Sequence, residues 1–210
     1  MTDLNKISET LIAGKGPDLK NMVQQAIDEG TDASQILNTA LLPGMEVVGE
    51  RMENGDMFIP EVLMSAKAMS GALEILKPLL SAEESKSAGK VIIGTVKGDL
   101  HDIGKNLVSM MLESAGFEVI NLGVDIAPEG FVDAVKKHDP DILALSALLT
   151  TTMTQMQKTI DALKENGLKD QVKVIVGGAP VTEKFAKEIG AEGYAPDAGS
   201  ANKLARSLLH

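Results

Sequence analysis

The residues best equipped for chemistry fall in three short stretches. Lys97-Gly98-Asp99-Leu100-His101-Asp102-Ile103-Gly104 sets one histidine between two carboxylates, Asp99 two positions before it and Asp102 one after. Imidazole binds a metal through one ring nitrogen while the other needs a partner. A carboxylate there fixes the tautomer and raises ligand basicity. Only one His lies in this region and the chain has no Cys, so a zinc or copper cage built by the protein is poorly supported. A metal already held by a macrocycle needs only one axial His. The second stretch, Ser146 to Thr152, offers hydroxyls, and the third, Gly177-Gly178, offers close backbone approach. Each also has an ordinary reading. A lone His in a loop is more often a surface or hydrogen-bonding residue, three Thr in a row can cap a helix, and paired glycines can be only a turn. Phosphate cradling lacks its motifs: there is no Walker A pattern, and no G-x-G-x-x-G after Val91–Val96.

These stretches lie where a parallel sheet would put them. Val91 to Val96 is a continuous β-branched run broken only by Gly94, as a strand buried on both faces requires. Helix is expected over 103–115, strand over 117–122, helix over 128–137, strand over 142–146 and helix over 153–164. Strand 172–176, helix 181–189, a short strand 193–195 and a last helix complete the pattern. Strands alternating with helices at this spacing predict βαβ units, an α/β fold with a flavodoxin-like or Rossmann-like five-stranded parallel sheet. Such sheets bind ligands beyond the carboxyl ends of their strands, where strand order reverses. Here that point lies between the first and third strands, beside the His101 and Ser146 loops.

Residues 1 to about 80 read as helix throughout. Leu4, Ile7, Leu11 and Ile12 share one face, as do Leu19, Met22, Val23, Ala26 and Ile27. Asp32 can cap a third helix with Ile36, Leu37, Ala40 and Leu41 inward, which Pro43-Gly44 should kink or restart. Asn54-Gly55-Asp56 breaks the chain, and Pro60 suits the first turn of a helix running to Pro78. A small N-terminal helical bundle follows. The polar stretch 81–89 reads as a linker, giving domains 1–88 and 89–210.

The 210 residues carry 20 Lys+Arg against 30 Asp+Glu, a net charge of −10. That excludes a bare nucleic-acid face and adsorption to anionic membrane. Hydrophobic residues at 44% exclude global disorder. No apolar run approaches the roughly 18 residues of a spanning helix, and Met1 to Glu9 is polar, so a cytoplasmic location is expected. With aromatics at 2% there is little to stack on bases, while 11 Met favour soft apolar surfaces.

Taken together, Asp99-x-His101-x-x-Gly104, then 41 residues to Ser146-x-Leu148, then 28 to Gly177-Gly178, resembles the signature of domains that bind cobalamin base-off and His-on. Leu42 to Glu50, Gly55 to Val62 and Ser65-Ala66 resemble the helical cap module of methyl-carrying corrinoid proteins. Cobalamin-dependent methionine synthase has a similar pair of modules. The best match is the corrinoid subunit of three-component methyltransferase systems.

The resemblance implies that His101 binds cobalt from below and Asp99 takes the other imidazole proton, with Thr152 where methionine synthase has a serine. Gly98, Leu100, Asp102, Ile103 and Gly104 would complete the loop under the cofactor. Ser146 and Thr150 would bond the displaced nucleotide tail, Leu148 would line its channel, and Gly177, Gly178 and Ala179 would allow its approach. Tyr194 and Ala198 would lie near its end. Met52, Ile59 and Val62 would cover the methyl face, and Asn38 would touch the ring edge. Without the signature those apolar residues read as bundle core. A Co(I)/methyl-Co(III) cycle is implied, served by a substrate-specific methyltransferase, a second acceptor methyltransferase and a reductive activase, without independent turnover. The linker would be the hinge that lets the cap leave. The competing readings are a cobalamin-dependent sensor, whose resembling members add a basic DNA-binding domain, an adenosylcobalamin mutase subunit, and a flavodoxin-like domain without metal.

Overall fold

The computed structural model describes residues 3–81 and 87–209. The chain divides into two compact units at the junction of Ser87 and Ala88, with Ser114–Gly116 grouped with the first. Residues 82–86 of the expected linker, Ser85 among them, lie outside the described residues. Ser81 and Ser87 to Gly89 belong to no helix or strand.

The first unit is helical: α1 (Leu4–Ile12), α2 (Gly16–Asp28), α3 (Ala33–Ile36), α4 (Leu42–Glu53) and α5 (Ile59–Leu76). Its core is the apolar stripe of each helix, including Ile7, Leu11, Leu19, Val23, Met45, Val48 and Met69. Asp32 caps α3 as expected, accepting from the Gln35 N–H at 3.0 Å. The Pro43-Gly44 break is not where the sequence suggests. The irregularity falls one turn earlier, as a π-turn at Leu37–Leu41, and the helix then continues into α4. Pro43 has no N–H and its ring crowds the carbonyl four residues back. A widened turn, with the Leu42 N–H reaching back to Leu37 O, relieves that crowding without ending the helix. In α5, Pro60 occupies the first turn, and the Phe58 N–H donates to the Glu61 carboxylate at 2.9 Å.

The second unit is an α/β sheet: β1 (Lys90–Thr95), α6 (Ile103–Ser114), β2 (Glu118–Asn121), α7 (Pro128–His138), β3 (Ile142–Ser146), α8 (Met153–Glu165), β4 (Lys173–Gly177), α9 (Glu183–Ile189), β5 (Gly193–Ala195) and α10 (Ala198–Leu209). Every pairing is parallel and the strand order is β2-β1-β3-β4-β5. With right-handed crossovers, this order sends α6 to one face and α7, α8 and α9 to the other. The core agrees. Ile92, Val96, Leu143, Leu145, Val174 and Val176 pack with Phe131, Met156, Ile160 and Ile189. Alternation leaves Ile93, Thr95, Ala144, Ser146, Ile175 and Gly177 to the opposite face. Among the described residues no helix is long and apolar enough to cross a membrane.

Candidate functional site

The site starts from one carboxylate. Beyond β1 the chain turns at Gly98 (φ +81°), and the Asp99 side chain is driven into the fold with no exposed surface. Its Oδ1 accepts the His101 backbone N–H at 3.1 Å and lies 2.7 Å from the His101 ring Nδ1. Its Oδ2 accepts the N–H groups of Leu148 at 2.8 Å and Leu149 at 3.3 Å, and the Thr152 hydroxyl at 2.8 Å. Burial alone would push this carboxyl up. The Leu148 N–H, the His101 ring, the Thr152 hydroxyl and the His101 N–H override it and hold Asp99 well below the usual carboxylate range. Asp99 is therefore ionised, and the loops after β1 and β3 are tied together at the reversal of strand order.

The ring of His101 remains 52% exposed. Nδ1 is occupied by Asp99, so Nε2 is the nitrogen left to bind anything outside the chain. Asp102 plays no part in this: its carboxylate accepts the Asn106 side-chain amide at 3.0 Å. The loops that carry His101 and the Asp99 donors also expose the apolar side chains of Leu100, Leu148 and Leu149, and Ile103 is exposed at the start of α6. A Cβ on Gly104 would meet nothing within 4 Å, so the chain itself does not demand glycine there.

A second feature lies in the sheet register. Thr95, Ser146, Gly177 and Ala195 are neighbours across β1, β3, β4 and β5, and all are small. They form a row on the face opposite the Phe131 cluster, at the carboxyl ends of the strands. Gly178 follows at φ +124°, where a Cβ would come within 1.9 Å of Ala147 O, so only glycine fits. Ala198 is buried at the start of α10, while Thr150 and Ala179 are exposed.

Some expected residues sit elsewhere. Tyr194 lies between Gly193 and Ala195, so its side chain points the other way and joins the Phe131 cluster. Alternation along a strand is the reason, and Tyr194 does not line the small-residue face. Leu148 acts on Asp99 through its backbone, and its side chain is exposed. In the helical unit Val62 is 0% exposed and is bundle core, whereas Ile59 is 45% exposed. Val62 falls on the inward stripe of α5 and cannot offer an outward face. Met52 is half-buried. Asn38 is exposed on the π-turn and donates to Ser34 Oγ at 3.1 Å.

The structure adds a brace that the sequence did not reveal. Thr95 Oγ1 donates to His101 O at 2.9 Å, and the Gly98 N–H donates to the Asp125 carboxylate at 2.7 Å. Lys105, 4% exposed on α6, donates to Asn121 Oδ1 at 2.7 Å, which also accepts the Gly123 N–H at 3.0 Å. Burial lowers the Lys105 pKa, and the Asp102 carboxylate partly opposes that. A lysine at an inward helix position breaks the apolar period, which is the one signal that could have marked it.

Among the described residues no group of three His, Cys, Asp or Glu converges to hold an ion. The donor set suits a metal brought in by a macrocycle: one imidazole with a free Nε2, an apolar rim, and a slot of small residues beside it. Comparison with known proteins agrees. Two family models, each described as B12 binding domain, match residues 89–201 and 3–77. A corrinoid protein of Desulfitobacterium hafniense is 43% identical over 212 residues, covering 100% of this chain and 98% of that protein. The dimethylamine corrinoid protein of Methanosarcina barkeri is 42% identical over 207 residues, covering 98% and 97%. Among solved structures, the methanol:cobalamin methyltransferase complex MtaBC of Methanosarcina barkeri matches with TM-score 0.84 and 35% identity, covering 97% of this chain and 78% of that one. With both halves matched and its relatives aligned over nearly their whole length, the chain belongs to the B12-binding family of corrinoid proteins.

Proposed function

We propose that this protein carries methyl groups on a cobalamin bound base-off, with His101 Nε2 as the lower cobalt ligand. It serves a substrate-specific methyltransferase and a second acceptor methyltransferase, with a reductive activase in support, in the cytoplasm. The observation that carries the reading is the 2.7 Å pairing of His101 Nδ1 with a buried, ionised Asp99, which leaves Nε2 as the donor. Relatives named for dimethylamine and trimethylamine, and a likeness to a methanol:cobalamin methyltransferase complex, support the methyl-transfer role.

When bound, the corrinoid supplies a cobalt centre that accepts and releases a methyl group. The rest falls to the chain. Asp99 fixes the proton on Nδ1 and so presents the Nε2 lone pair. Its two oxygens already accept from five donors, leaving no room for a proton of its own. Thr152 and the Leu148 and Leu149 N–H groups hold the Asp99 carboxylate in place. Leu100, Ile103 and Gly104 provide an apolar rest for the ring system. Ser146, Thr150, Gly177, Gly178, Ala179 and Ala198 border the path of the nucleotide tail.

The test is electron paramagnetic resonance of the cobalt(II) form in protein labelled with 15N-histidine. Label-dependent splitting is expected, and splitting that ignores the label refutes His101 ligation. Methyl transfer from methylamines or methanol, with candidate methyltransferases added, then tests the carrier role. Stoichiometric corrinoid binding with no transfer to or from any methyltransferase would refute it.

A further inference from the structure

Among the described residues two other than glycine sit at positive φ, Asp139 (+46°) and Asp125 (+56°). Asp139 ends α7, where a left-handed residue is the usual helix stop. Asp125 ends no helix. It lies in the exposed loop after β2, in a conformation that glycine adopts freely and an L-residue does not. Backbone pairing already joins this loop to the end of β1: the Thr95 N–H donates to Gly123 O, and the Ile126 N–H donates to Thr95 O, both at 3.0 Å. Asp125 reaches past that pairing. Its carboxylate accepts the Gly98 N–H at 2.7 Å, and its own N–H donates to Asp99 O at 3.1 Å. One residue thus grips the two-residue segment Gly98-Asp99 at both ends. A glycine at 125 would relieve the backbone and lose the first of these bonds, so the side chain is what the strain serves.

We propose that Asp125 is a positioning residue for the axial histidine. Leu148, Leu149 and Thr152 anchor only the Asp99 carboxylate. Asp125 holds the Asp99 main chain from the outside, and with both ends fixed the His101 ring cannot rock about its Nδ1 contact. The clamp sets how far Nε2 reaches towards the cobalt. This inference rests on the His101 ligation given under the proposed function.

The experiment compares full-length wild type, Asp125→Gly and Asp125→Asn, each loaded with hydroxocobalamin and reduced to cobalt(II). Electron paramagnetic resonance of the bound cofactor gives the ratio of base-off to His-on cobalt, and redox titration gives the cobalt(II)/cobalt(I) midpoint. In Asp125→Gly the base-off to His-on ratio should rise about ten-fold, the scale of losing a group that orients a metal ligand. The midpoint should move positive, because an axial donor favours the higher oxidation state. Asp125→Asn keeps an acceptor oxygen and tolerates positive φ, so it should stay within about two-fold of wild type. A wild-type ratio and midpoint in Asp125→Gly overturn the proposal and leave His101 as the ligand. Asp125→Asn shifting as far as Asp125→Gly overturns it too. Should Asp125→Gly not fold, amide hydrogen exchange in wild-type apo-protein decides: the exposed Gly98 N–H should be protected, and exchange at an unstructured rate overturns the clamp. Wild-type protein without histidine nitrogen splitting overturns both readings.

Discussion

Replacing Asp99 with asparagine changes one atom of the site, and the hydrogen bonds dictate the consequence. The new amide can turn its NH2 either way. Facing Leu148, Leu149 and Thr152, it confronts two backbone N–H donors and strands both. Facing His101, it strands only the His101 N–H and donates to ring Nδ1. The second orientation is favoured by one fewer unsatisfied donor. One stranded N–H costs about 1–3 kcal/mol, and the remaining bonds lose their charge assistance, so a loss of about 2–4 kcal/mol is expected. Urea denaturation of wild-type and Asp99→Asn apo-protein at neutral pH measures it. The pH dependence has a definite sign. Asp99 is depressed in the folded state, so its stabilisation is complete above the unfolded carboxyl pKa of about 3.9 and fades as pH falls through the lower folded value. The gap between the proteins should stay constant above about pH 5 and narrow in acid. The substitution also moves the ring proton to Nε2, so corrinoid-loaded Asp99→Asn should shift towards a base-off or water-ligated spectrum. Equal stability, or a gap that widens in acid, would refute the hydrogen-bond argument.

Thr152→Val removes one donor to the carboxylate and should cost about 1–2 kcal/mol in the same denaturation assay, with Thr152→Ser recovering most of it. His101→Ala should leave the folded apo-protein close to wild type, because the ring is half exposed and four donors to Asp99 remain. Its methylated form should give a base-off or water-ligated absorbance spectrum, and an unchanged spectrum would remove His101 from the ligand role. Gly178→Ala should fail to give a wild-type fold by circular dichroism or lose several kcal/mol, since its Cβ would overlap Ala147 O. In the helical unit, Val62→Ala should destabilise by about 1–3 kcal/mol and Ile59→Ala by less than half as much, read from thermal melts, because the first is core and the second is half exposed.

Much of this protein was legible in the chain. The β-branched run at 91–96 and the largely apolar stretches at 142–146 and 172–176 lie within a residue or so of β1, β3 and β4, because strands buried on both faces need mostly apolar sequence. Asp32 acts as the cap its residue type suggests, since a cap is a contact over three residues and local sequence contains it. The spacing of Asp99, His101, Gly104, Ser146 and the two glycines was sufficient for the family. Other features depend on contacts between residues far apart, which periodicity does not encode. That the Thr152 hydroxyl meets an Asp99 carboxylate 53 positions away follows from β1 and β3 being neighbours. The same adjacency brings the Leu148 and Leu149 N–H groups to Oδ2, and no side-chain pattern can announce a backbone donor. Tyr194 turned to the Phe131 side because its neighbours Gly193 and Ala195 took the other face, and Val62 turned inward with Ala66, Met69 and Leu76, which share its stripe of α5. The row Thr95, Ser146, Gly177 and Ala195 exists only in the register of four strands. Its members are scattered over a hundred residues, and only the hydrogen-bonded sheet, whose register fixes which residue stands opposite which, gathers them into one slot.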